Sequence, residues 1–285
     1  MNSGSNKPDR ENHGFAMRCM EIRGGSRAVA ESLETPGLDA WVYSSPYEGA
    51  ENGGDVYYVS LCGGGVITRL VVADVSGHGE SVAAFSANLR EMMRKNINTK
   101  SQTRLVRALN RAFGKNAESF RFATAVVATY LATRKSLTVC NAGHPRPLWY
   151  RARSKSWSLL DKHVADTGNL PLGLDDESAY HQFAVTLSHG DIVLFYTDAL
   201  SEASDETGRM LGEEGLLELA RGLEATEPAR IGPALLSKIA HHRGGRPADD
   251  DVTLLTLVHN GGGPRPPSLR EKVDVYAKVF GFKSY

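Results

Sequence analysis

The sequence predicts an α+β fold in which two antiparallel sheets pack as a sandwich with helices on their outer faces. Three observations predict it. Short runs rich in β-branched and aromatic residues recur along the chain, many joined by turns too short for a helical crossover. Breaker-free amphipathic stretches fall in pairs between groups of those runs. The length of 285 residues is enough for a large core of this kind.

Taken in order, residues 1–37 read as an N-terminal extension. Its polar start, Met1 to Gly14, is expected to be disordered, and Ala28 to Leu33 to form a short helical turn ahead of Pro36. Ala40 to Ser44 reads as a strand. Val56 to Leu61 and Val66 to Ala73 are two strands joined by Cys62-Gly63-Gly64-Gly65, a hairpin connection. Glu80 to Lys95 and Gln102 to Phe113 are amphipathic helices, the second with Ser101 as N-cap and Gly114 as its stop. Ala123 to Ala132, Ser136 to Ala142, Leu148 to Tyr150, Trp157 to Leu160, Phe183 to Leu187 and Asp191 to Tyr196 are strands. Helices return at Glu213 to Arg221 and Pro228 to His241, and Val252 to Val258 is the last strand. Residues 260–285 read as a linker and a tail whose Val, Tyr and Phe residues suit docking on this domain or on a partner.

Composition removes several function classes. Lys+Arg and Asp+Glu both number 33, so no net positive charge draws the chain to nucleic acid or to an anionic membrane. Hydrophobic residues make up 41% and no apolar run reaches the length of a membrane span. The start lacks a secretory pattern, and the three cysteines, Cys19, Cys62 and Cys140, match neither a zinc spacing nor a disulfide framework. A cytoplasmic setting is the expectation.

The chemistry lies in the acids at strand ends. In an antiparallel hairpin the residue entering the first strand and the residue leaving the second lie at one end, and here these are Asp55 and Asp74. The same argument places Asp198, just after one strand, beside the run Asp249-Asp250-Asp251, just before another. Carboxylates brought together repel unless a cation separates them. A site of oxygens alone suits Mg²⁺ or Mn²⁺ better than Zn²⁺, and four acids suit two ions better than one. Two metals activate a water and neutralise a transferring phosphoryl group. The competing reading of each Asp is a turn former or helix cap. Ser76 and His78 do not make a serine hydrolase, since no G-x-S-x-G elbow is present.

Seven segments occur in order: GGDVYYV (53–59), ADVSGHG (73–79), FATAVVA (122–128), NAGHPRP (141–147), PLGL (171–174), DIVLFYTDALSEASD (191–205) and DDVTLLTL (250–257). Together they resemble the PPM-type (phosphatase 2C-like) protein serine/threonine phosphatases, in the bacterial SpoIIE/RsbU branch. The resemblance spans residues 38–259, which it makes the phosphatase domain, and it implies an αββα four-layer sandwich. It also implies two Mn²⁺ or Mg²⁺ ions and hydrolysis of phosphoserine or phosphothreonine by a metal-bridging hydroxide. By position in the motifs it assigns Asp55, Asp74, the backbone carbonyl of Val75, Asp198 and Asp250 to the metals. Asp251 is the alternative if the register of the acidic run slips. His78, Asn141 and Glu202 would support those ligands or order the turns. The branch acts on a phosphorylated anti-sigma-factor antagonist, so a signalling protein of that kind is the expected partner, with a regulatory partner or a second copy as further candidates. Two departures stand out: Ala199 replaces the glycine that follows the metal-binding Asp, and no Arg matches the phosphate-binding Arg of the eukaryotic branch. They leave a catalytically silent binding module as the rival, with a two-metal phosphodiesterase or nuclease behind it.

Overall fold

The computed structural model describes residues 14–76, 80–96, 101–114, 122–161, 169–224, 228–264 and 273. Two sheets carry the strands. The first orders β1 (Phe15–Ala16), β3 (Val29–Thr35), β4 (Leu38–Ser45), β13 (Val252–His259), β12 (Ile192–Tyr196), β9 (Leu148–Arg151) and β10 (Ser156–Leu159). The second orders β11 (Phe183–Thr186), β8 (Ser136–Ala142), β7 (Ala123–Leu131), β6 (Ile67–Val75), β5 (Asp55–Cys62) and β2 (Glu21–Gly25). Every ladder is antiparallel except the two-residue pairing of β1 with β3.

Period-two alternation explains why the strands read as continuous apolar runs. On β5, Tyr57, Val59 and Leu61 enter the layer between the sheets, while Val56, Tyr58 and Cys62 enter the layer under the helices. Helices α1 (Glu80–Lys95) and α2 (Gln102–Gly114) cover that second face, with Leu89, Met93, Leu105 and Leu109 buried against it. On the other side α3 (Asp198–Ser201), α4 (Gly212–Arg221) and α5 (Pro228–His242) cover the first sheet through Leu216, Leu217, Ile231, Leu235 and Ile239. Helix, sheet, sheet and helix form the four expected layers. Ser101 Oγ accepts the N–H of Arg104 at 3.4 Å, the position an N-cap serves.

The short helix expected at Ala28 to Leu33 is absent: Val29 to Leu33 belong to β3. They pair with β4 along the whole strand from Val29↔Ser44 to Thr35↔Leu38, and Leu33 is fully buried between the sheets. A sheet position overrides a helix preference of a few tenths of a kcal/mol per residue. Gly24 and Gly25, residues that would interrupt a helix, lie within β2. A Cβ on Gly24 would stand 2.0 Å from the carbonyl oxygen of Tyr57, so the strand pairs this closely only through glycine. Residues 14–35, expected as an extension ahead of the domain, therefore supply strands to both sheets. The tail expected to dock lies outside the described residues apart from 260–264 and Val273.

Candidate metal centre

The first pair of acids is placed by a hairpin. Asp55 and Asp74 are cross-strand partners at the open end of β5 and β6. Its closed end turns through Gly63, Gly64 and Gly65 at φ of 66°, 69° and 84°, a left-handed run that only glycine adopts readily. Asp55 shares parity with Tyr57 and Val59, and Asp74 with Leu70 and Val72, so both carboxylates belong to the face between the sheets. Asp55 is 3% exposed and Asp74 partly exposed. Val75 ends β6 with its N–H donating to Gly54 O at 3.2 Å.

The second pair comes from the facing sheet. Strands β12 and β13 pair antiparallel, and just past β12 Thr197 N–H donates to Thr253 O at 3.0 Å. Thr197 has the parity of Val193 and Phe195, so it points between the sheets, where its Oγ1 donates to Asp55 Oδ2 at 2.7 Å. The same hydroxyl accepts the N–H of Thr253 at 2.9 Å. This contact brings the ends of the two strand pairs together, with Asp198 and Asp250 beside them.

The acidic run divides its work. Asp251 accepts the N–H groups of Tyr47 (2.6 Å), Gly54 and Asp55 (3.3 Å), which pins the approach to β5 onto the start of β13. A Cβ on Gly53 would sit 2.6 Å from that carboxylate, so the first glycine of GGD is dictated by Asp251. Asp250 is exposed, and one of its oxygens accepts the N–H of Asp251 at 2.7 Å. Asp198 opens the short helix α3, and Ala199 lies inside that helix without a left-handed φ. Its methyl group therefore costs the backbone nothing. Glu202, exposed, closes α3 by donating its N–H to Asp198 O at 2.7 Å.

These acids sense one another. Burial raises the Asp55 carboxyl well above its ordinary range, the Thr197 hydrogen bond opposes that, and Asp74 adds to it. Burial pushes Asp74 up to about 7, reinforced by Asp198, Asp250, Asp251 and Glu202. Asp198 is raised by burial, then by Glu202 and Asp250. Among the described residues no three His, Cys, Asp or Glu side chains already stand close enough to enclose an ion. The arrangement is a group of mutually repelling oxygen donors around one end of the sandwich, chemistry that fits a hard divalent cation.

The remaining candidates separate. Asn141 orders a turn: its Oδ1 accepts the N–H of His144 at 2.7 Å and its Nδ2 donates to His144 O at 2.7 Å. His144 is buried, with Nδ1 at 2.9 Å from Thr124 Oγ1, and Thr124 is the cross-strand neighbour of Asp74. His78 lies outside the described residues. Sequence reasoning did not single out Thr197, although a hydroxyl immediately before an acid at a strand end was the available signal.

The family described as Stage II sporulation protein E (SpoIIE) matches residues 65–260. The chain is similar to phosphoserine phosphatase RsbU of Bacillus subtilis (strain 168), 25% identical over 141 residues, which is 49% of this chain and 41% of that one. It spans less than half the length of the curated relatives it matches. Its structure is similar to that of the RsbU and RsbW domains of Rv1364c from Mycobacterium tuberculosis. That match has TM-score 0.65 and 27% identity, over 90% of this chain and 70% of the other. RsbX, solved in complex with magnesium, shares the fold at TM-score 0.59 and 16% identity, over 81% of this chain and 99% of that one. Matched over most of its length, the chain belongs to the SpoIIE family, and its sheet architecture is that of a phosphatase 2C-like fold.

Proposed function

We propose that the chain is a metal-dependent protein serine/threonine phosphatase, a phosphoric monoester hydrolase acting on phosphoserine or phosphothreonine of a regulatory protein. The observation that carries the reading is the cross-strand pairing of Asp55 with Asp74, with Asp198 and Asp250 near enough to help raise the Asp74 carboxyl. In this reading Asp55, Asp74, Asp198, Asp250 and the Val75 carbonyl hold two Mn²⁺ or Mg²⁺ ions. Bound there, such ions would neutralise phosphate charge and acidify a water. Thr197 holds the Asp55 carboxylate in place, and Asp251 fixes the approach to β5, which Asp55 opens. Glu202 adds negative charge beside Asp74 and Asp198. A relative named phosphoserine phosphatase supports the substrate class. A phosphorylated anti-sigma-factor antagonist in a partner-switching pathway is the substrate we favour, in the cytoplasm.

Hydrolysis of a phosphoserine peptide with Mn²⁺ tests this. Wild type should release phosphate, and folded Asp74→Asn and Asp198→Asn should not. Activity that survives both substitutions would remove the site assignment. A folded wild type that binds Mn²⁺ yet releases nothing would favour a silent binding module.

A further inference from the structure

Next to Asp250 a cleft of about 460 Å³ opens between the end of the first sheet, the loop after β4 and the last turns of α5. Tyr43, Leu236 and Ile239 give it apolar walls, Tyr47 its rim, and Arg243 and Asp250 its polar end. Its size lies within the range of pockets that enclose small ligands or side chains. Both sides are held. The Tyr47 N–H donates to the Asp251 carboxylate at 2.6 Å, which ties the rim to the acidic run. Arg243, 9% exposed, donates from Nη2 to Ala199 O at 3.0 Å, directly after Asp198. Arg246 donates from Nη2 to Ser204 O (2.7 Å) and Asp205 O (2.9 Å), which ties the end of α5 to the segment after α3. A cleft braced in this way needs little ordering before a ligand enters.

We infer that this cleft is a specificity pocket for the phosphoprotein substrate, taking a large apolar or aromatic side chain next to the phosphorylated residue. The inference rests on the phosphatase reading and extends it. Continuity decides the occupant: Asp250 belongs at once to the acid group and to the cleft, so a chain whose phosphate meets those acids passes the cleft mouth. The two tyrosines, Leu236 and Ile239 offer apolar contact to a side chain. The exposed carboxylates of Glu48 and Asp250 at the opening disfavour an acidic one.

The test separates the two readings. Labelled peptides carrying a phosphonate analogue of phosphoserine, with Phe or Ala beside it, are titrated against the full chain with Mn²⁺ by fluorescence anisotropy. The Phe peptide should bind at least about tenfold tighter, the fold-change expected from burying one large apolar side chain. Tyr47→Ala, at an exposed position, and Leu236→Trp, which fills the cleft, should each bring the preference below about twofold. Equal binding of the two peptides by wild type, or a preference that persists in both folded variants, overturns the pocket. Hydrolysis of p-nitrophenyl phosphate reports separately on the phosphatase reading. Because the peptides are not hydrolysed, the binding preference is decided whether or not turnover occurs.

Discussion

Thr197 on one sheet donates a 2.7 Å hydrogen bond to the buried carboxylate of Asp55 on the other, and through it the two halves of the sandwich share one acidic end. The hydroxyl is doubly engaged, since it also accepts the N–H of Thr253. Thr197→Val keeps the shape and removes both roles, leaving a buried charge and a buried N–H without this partner. We expect a loss of roughly 1–3 kcal/mol in urea unfolding without metal, and weaker Mn²⁺ binding by calorimetry, while Thr197→Ser retains both. A valine variant as stable as wild type would show that Asp55 needs no such support.

The same crowding of acids predicts a trade between stability and metal affinity. In EDTA, Asp74→Asn should melt at or above the wild-type temperature, because it removes a desolvated charge facing Asp198, Asp250, Asp251 and Glu202. With Mn²⁺ at a hundredfold excess over its dissociation constant, wild type should gain about 2.7 kcal/mol and the variant far less. Equal metal stabilisation in the two proteins would remove Asp74 from the ligand set.

Asp250 and Asp251 should part in opposite ways. Asp251→Asn weakens charge-assisted bonds to Tyr47, Gly54 and Asp55, each worth about 1.5–3 kcal/mol, so unfolding should come at clearly lower urea. Asp250→Asn should leave the urea midpoint in EDTA near that of wild type and lower Mn²⁺ affinity. The reverse pattern would make Asp251 the ligand.

Much of this was legible in the residues, and the misses have causes. The Asp55–Asp74 juxtaposition follows from hairpin geometry, and the register bears it out. The choice within Asp249 to Asp251 did not follow, because β13 is buried on both faces and its apolar residues carry no alternation to reveal which acid points inward. The β2 strand was hidden because Gly24 and Gly25 weaken a strand pattern until the close approach of Tyr57 is seen, and β3 because its residues also suit a short helix. Thr197 escaped because its role lies in a contact 142 residues away in sequence.

His144 gives the last prediction, on pH. Burial lowers its imidazole to about 4, so the folded protein keeps it neutral. The unfolded chain binds a proton near the ordinary histidine value of about 6.5, so between these limits the unfolded state holds more protons than the folded one. Stability from the neutral ring is therefore complete above about pH 6.5 and is lost as pH falls toward 4. Across that window wild type should lose up to about 3 kcal/mol relative to His144→Gln, measured by urea unfolding in EDTA at several pH values. Asp55 and Asp74, whose carboxyls are raised, act in the opposite sense but are common to both proteins and cancel in the difference. A difference that does not change with pH would mean that His144 is protonated in the fold, and that its pairing with Thr124 beside Asp74 is made by an imidazolium.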